Sequence, residues 1–248
     1  MRGLLLISLI GVAALAGTAQ ASSFTVNPIR IDLDQTSRSG MLTVKNDSAE
    51  PLRVQVTAFA WSQSATGEVV LADSKDVIAF PGLVEIAPGA EKKIRVGVKA
   101  PASAIEQTYR VFVEELPGMQ QPGGKTEVRV LTKFGVPVFV APTKIVRSAR
   151  VSGVAASGGK LAFSVENTGT VSTIVKTVTV IGRDARQVEL FQRAQSGWYV
   201  LGGGKRDYQL ELPADRCGEA AQLAIEVVTD QNQPIRAELA LPAGACAR

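Results

Sequence analysis

Apolar and polar residues alternate in short runs along most of this chain, and turn-forming residues separate the runs. In Met41-Leu42-Thr43-Val44-Lys45-Asn46 and in Leu52-Arg53-Val54-Gln55-Val56-Thr57 the apolar side chains fall on one face and the polar ones on the other. A half-buried antiparallel strand requires that arrangement. Further strands are predicted at Thr25 to Leu33, Ser39 to Asn46, Leu52 to Trp61, Val77 to Ala79, Leu83 to Ile86, Glu91 to Val98, Thr108 to Glu115 and Glu127 to Val140. Asn46-Asp47-Ser48, Thr66-Gly67, Ala87-Pro88-Gly89, Pro101 and the loop from Pro117 to Gly124 supply the turns between them. Many short strands at this spacing, with no helical period, predict a β-sandwich.

A linker around residues 141 to 147 ends that series, and a second begins. Its strands are predicted at Ala149 to Val154, Lys160 to Asn167, Ile174 to Gly182, Trp198 to Val200, Arg206 to Leu212, Leu223 to Thr229 and Ile235 to Leu241. Ser157-Gly158-Gly159, Asn167-Thr168-Gly169 and Gly202-Gly203-Gly204 are the turns. Each half holds a strand that closes on a valine, a charged residue and an asparagine, Val44-Lys45-Asn46 and Val165-Glu166-Asn167, followed by a small polar turn. The expected organisation is all-β, with two sandwiches at residues 22–142 and 143–248.

Residues 1–21 have the layout of a secretory signal peptide: Met1-Arg2, an apolar run from Gly3 to Ala16, and small residues closing at Ala19-Gln20-Ala21. That run is shorter than the roughly 20 residues of a spanning helix, so cleavage before Ser22 is expected in preference to a membrane anchor. Without the leader, 26 basic residues face 23 acidic ones, a balance of +3 that gives no ground for nucleic-acid binding. Export to an oxidising compartment makes a structural disulfide the expected state of Cys217 and Cys246; a redox pair is the weaker alternative, for want of Cys-x-x-Cys spacing.

The chain has no histidine, which removes Ser-His-Asp and Cys-His mechanisms and most zinc sites. Asp32 and Asp34 alternate on one strand, but no base and oxyanion site accompany them at recognisable spacing. No catalytic residue, metal site or cofactor is expected, and the chain reads as a binding protein, not an enzyme. Phe59, Trp61 and Phe80 read as core or edge packing.

Several segments of the first half occur in a characteristic order: Val26-Asn27-Pro28-Ile29-Arg30-Ile31, Leu42 to Asn46, Phe80-Pro81-Gly82-Leu83 through Pro88-Gly89, Lys93-Ile94-Arg95-Val96, Tyr109-Arg110-Val111-Phe112-Val113-Glu114-Glu115-Leu116-Pro117 and Leu131-Thr132-Lys133-Phe134. In these the chain resembles the periplasmic pilus (fimbrial) chaperones; the second half resembles them only in length, strand pattern and Val165-Glu166-Asn167. The resemblance implies two immunoglobulin-like β-sandwich domains arranged as a boomerang, a periplasmic location, pilus or fimbrial subunits as partners, and an outer-membrane usher as recipient.

It also implies residue roles. Arg30 matches the first of two basic residues that hold a subunit's C-terminal carboxylate, and Lys133 is the candidate second, with Arg129 in reserve. Where many members carry another basic residue in this strand, the chain has Gly135. The run Gly135-Val136-Pro137-Val138-Phe139-Val140 is more similar to the divergent branch that serves spore-coat-U-like fimbriae. Val128 and Val130 are the expected donors to an incomplete subunit, since period two puts them on one face; the alternative is that both face the chain's own core. Self-association through the free strand edge stays open, as does a structural or adhesive role at the cell surface built on the same sandwich.

Overall fold

The computed structural model describes residues 24–117, 130–231 and 233–247. The leader expected at residues 1–21 lies outside them. Nearly every regular element is a strand. The first half contributes β1 (Phe24–Asn27), β2 (Ile31–Leu33), β3 (Ser39–Asn46), β4 (Leu52–Gln63), β5 (Val69–Asp73), β6 (Val77–Phe80), β7 (Leu83–Ile86), β8 (Glu91–Val98), β9 (Gln107–Glu115) and β10 (Lys133–Val140). These form one sheet in the order β1-β3-β8-β6 and a second in the order β2-β10-β9-β4-β5, with β7 also paired to β4. Leu42, Val44, Val54, Ile86, Ile94, Val96, Val111, Val113 and Val138 fill the space between the sheets. They are the apolar phase of the alternation read from the sequence.

The second half contributes β11 (Ala149–Ser157), β12 (Lys160–Asn167), β13 (Thr173–Arg183), β14 (Glu189–Ser196), β15 (Tyr199–Val200), β16 (Lys205–Glu211), β17 (Gln222–Thr229) and β18 (Ile235–Ala240). Their sheets run β11-β12-β16 and β14-β13-β17-β18, with β15 on β13. Leu161, Phe163, Val165, Val178, Val180, Leu223, Ile225 and Val227 form their core. Cys217 and Cys246 are joined, with Cα atoms 5.7 Å apart. The bridge closes a 29-residue separation. Replacing both cysteines by alanine is expected to cost about 3–4 kcal/mol of stability from the released loop entropy, which denaturant unfolding of the oxidised protein and the variant would measure.

Three sequence expectations need correction. The strand expected from Thr25 to Leu33 is two strands in different sheets: β1 pairs antiparallel with β3, and β2 pairs parallel with β10. Pro28, with no N–H to offer a ladder, lies where the chain crosses over. The strand expected from Glu127 to Val140 starts at Lys133. Val130 to Thr132 lie outside regular structure, and Val128 and Arg129 lie outside the described residues. Finally, β5 and β14 escaped the sequence reading. Each pairs along one side only, to β4 or β13, and their side chains are mostly exposed. Neither therefore carries a clean alternation.

The shared asparagine marks the same construction in both halves. Asn46 Nδ2 donates to the carbonyls of Glu50 and Ile86, and its Oδ1 accepts from the Ser48 amide. Asn167 Nδ2 donates to the carbonyls of Val171 and Val200, and its Oδ1 accepts from the Gly169 amide. Each ties the end of one strand to its own turn and to the facing sheet. Both asparagines are buried, and such burial is tolerable only with these bonds made.

Candidate functional site

The outer face of the sheet containing β10, β9 and β4 meets the second half around an aromatic cluster. Trp61 from β4 and Phe139 from β10 pack against Tyr199 from β15, with ring centroids 5.5 Å from Tyr199 in both cases. Gln63, two residues past Trp61, clamps the junction: its Nε2 donates to the Tyr199 carbonyl at 2.7 Å and its Oε1 accepts from the Leu201 amide at 2.8 Å. Trp61 is thus buried packing, as its sequence context suggests, in a cluster that joins the two halves. Phe80, by contrast, is 72% exposed at the end of β6, and Phe59 lies edge-on to Phe112.

Two guanidinium groups lie on this cluster. Arg30, one residue before β2, sits 4.1 Å above the Phe139 ring. Arg110, on the outward phase of β9, sits 4.6 Å from the Trp61 centroid and 5.9 Å from that of Trp198. Their surroundings differ. Arg30 donates through Nε and Nη2 to Asp32 at 2.7–2.9 Å. Burial pulls its affinity for the proton down, but the hydrogen bond and charge of Asp32, with a smaller contribution from Tyr199, hold it above its ordinary value. Arg110 has no ion pair among the described residues, and its Nε is buried without an acceptor. Burial lowers its proton affinity, with only Tyr199 opposing. A guanidinium keeps its charge regardless, so Arg110 is a partly desolvated cation facing an aromatic wall and lacking an anion.

Lys133 is elsewhere. It opens β10, six positions from Phe139, which is roughly 20 Å along an extended strand. Its Nζ pairs with Glu114 at 2.7 Å and lies over the Phe112 ring. The structure thus brings Arg30 together with Arg110, not with Lys133. Gly135 lies next to Arg110. A Cβ at that position would meet the Phe112 ring at 3.0 Å and the Arg110 Cδ at 3.7 Å. The space left by glycine on β10 is the space beside the arginine stem reaching across from β9.

Glu106 completes the polar surroundings. Its amide donates to the Thr170 carbonyl and its carboxylate accepts from the Ser172 amide, both at 2.8 Å, joining the segment before β9 to the second half. Burial raises its proton affinity, with the Ser172 bonds and Arg30 opposing. A carboxyl whose folded pKa lies above its unfolded one costs stability once ionised, and the cost shrinks as pH falls through the folded value and is gone below the unfolded one. Glu106→Gln keeps an acceptor for Ser172 and removes that charge. Its thermal midpoint at pH 7 is expected to match or exceed that of the wild type, with the difference shrinking towards pH 4.

The edge of β10 is the other element of the site. Along its length β10 pairs with β9, but on its opposite side β2 covers only Val138 to Val140. Among the described residues, positions 133 to 137 have no strand on that side. Phe134 packs edge-on to Phe24, at 5.1 Å, at the rim of the sandwich. Just before it, Val130 is 69% exposed and Leu131 is also exposed.

Three solved structures share this two-sandwich fold. One is the complex of the chaperone CsuC with the tip adhesion subunit CsuE, from archaic chaperone-usher Csu pili of Acinetobacter baumannii: 14% identity, TM-score 0.61, covering 88% of this chain and 98% of the matched chain. A second is the Salmonella enterica SafA pilin in complex with the SafB chaperone, at 17% identity, TM-score 0.57 and coverage of 89% and 98%. The third is the E. coli chaperone DraB, at 17% identity, TM-score 0.53 and coverage of 90% and 98%. No curated protein matches at the level of sequence. The model of the PapD N-terminal domain of pili and flagellar-assembly chaperones matches residues 23–146, half of the chain, and the chain belongs to that family.

Proposed function

We propose that this protein is a periplasmic chaperone that holds pilus subunits by donor-strand complementation and passes them to an outer-membrane usher. The subunit's C-terminal carboxylate is bound between Arg30 and Arg110. The subunit strand then pairs with the open edge of β10, and apolar residues leading into that strand, Val130 and by period two Val128, enter the unfilled groove of the subunit. Several of the solved chaperones that share the fold are seen with a pilin or tip subunit, which supports this class of partner.

The observation that carries the reading is Arg110. A half-buried cation without a counter-ion among the described residues, on the same aromatic cluster as a second guanidinium and one strand from a partly open edge, fits a chain terminus arriving along that edge. Membership of the family supports binding as the activity. Among the described residues no helix is long and apolar enough to cross a membrane, and no group of three or more acidic or cysteine side chains could hold a metal ion. The test is co-expression in a periplasm with a candidate subunit and affinity isolation of the complex. A one-to-one complex with wild type that is lost in Arg30→Ala and Arg110→Ala, with both variants folded, is expected. Complex formation indifferent to both arginines would overturn the anchor, and loss on Lys133→Ala alone would move it up the strand.

A further inference from the structure

The two arginines of the anchor differ in one respect: one already holds a carboxylate. Asp32, two residues on in the chain, takes the Nε and Nη2 edge of Arg30, while Arg110 has no carboxylate among the described residues. We propose that Asp32 is a built-in counter-carboxylate, a specificity-determining residue that occupies Arg30 until a chain terminus arrives. The inference rests on the anchor reading above.

The chemistry follows from the geometry of the guanidinium. Its planar fork offers two bidentate edges, and Asp32 uses the one that includes Nε. A terminal carboxylate must share the remaining edge beside an existing negative charge, or displace Asp32. The Asp32 side chain is 63% exposed, so releasing it to water is cheap, and an exposed pair of this kind is worth little in itself. The effect on the ligand is larger, because two carboxylates on one guanidinium repel at close range. Glu106, facing Arg30 from the loop before β9, adds to that repulsion.

A stray anion that touches only Arg30 therefore gains little. A carboxylate delivered to Arg110 at the same time, by a strand already aligned on β10, gains both charges. Asp32 makes the anchor respond to a chain end in register, not to carboxylates at large.

The test uses the full mature chain and two probes, a six-residue peptide of alternating threonine and valine with a free C-terminal carboxylate and the same peptide as its amide. Binding is followed by NMR through the Nε–H signals of the arginines. Asp32→Asn, which keeps a neutral hydrogen-bond acceptor for Arg30, is expected to bind the free-acid peptide about 3- to 10-fold more tightly than wild type and the amide equally. In an Arg30→Ala background the same substitution should change nothing. Unchanged or weaker binding of the free acid by Asp32→Asn would overturn the proposal and would make Asp32 a residue that merely orients Arg30. Wild type that does not distinguish acid from amide would sink the anchor itself, and this inference with it.

Discussion

Arg110→Ala is expected to weaken subunit capture by about 30- to 100-fold, or ~2–3 kcal/mol, while leaving the thermal midpoint within a few degrees of wild type. The two halves of this expectation have different causes. Truncating one partner of a desolvated charge pair strands the other charge, and in fully buried pairs that costs more; the lower figure reflects a guanidinium that is only half buried. Stability is largely spared because two effects oppose each other in the free protein. Alanine loses the cation–π contact with Trp61, worth about 0.5–2 kcal/mol, but it also removes the desolvation of a guanidinium whose Nε has no acceptor and which has no ion pair among the described residues. Arg30→Ala should lose capture too, but it also breaks the pair with Asp32. Affinity of a tagged subunit for each variant, together with its melting curve, gives both readouts. Equal losses of stability and capture in Arg110→Ala would show that the residue props the junction and does not hold a ligand.

The second large effect concerns folding. Asn46→Ala is expected to destabilise the protein by about 2–4 kcal/mol, lowering the melting temperature by about 10 °C or more. The substitution leaves the buried Ile86 carbonyl and the Ser48 amide without partners and opens a small void where the side chain sat. Asn167→Ala should do the same through the Val200 carbonyl and the Gly169 amide. Asn46→Asp is the sharper comparison. It keeps an acceptor for Ser48 but replaces the donor that faces Glu50 and Ile86 with an oxygen, so it should cost at least as much as alanine. Surface asparagines would show neither effect.

What the sequence made legible follows from how each element is covered. Strands with one buried and one wet face, such as Ser39–Asn46 and Lys160–Asn167, show their alternation openly, and their bounds were read to the residue. The strands β5 and β14 are paired on one side only and carry no such signature. Arg30 stood in a motif with a meaning. Arg110 did not, because an arginine on the polar phase of a strand looks the same whether it faces water or a junction with another sandwich. Only the fold places it beside Trp61, with Gly135 of the neighbouring strand next to its stem. Trp61 is buried packing as its sequence context implied, but a buried tryptophan carries no mark of which neighbours bury it.

The one-sided stretch of β10 has a further consequence. An unpaired strand edge is the usual starting point for aggregation, and an edge left without a cover needs another protection. Here the open stretch begins with a lysine and ends with a proline, Lys133 and Pro137. A second copy approaching edge to edge would have to desolvate the ion pair of Lys133 with Glu114 and would meet a residue with no amide to offer. Resistance to pairing with a twin is thus written into five residues at one end of a strand.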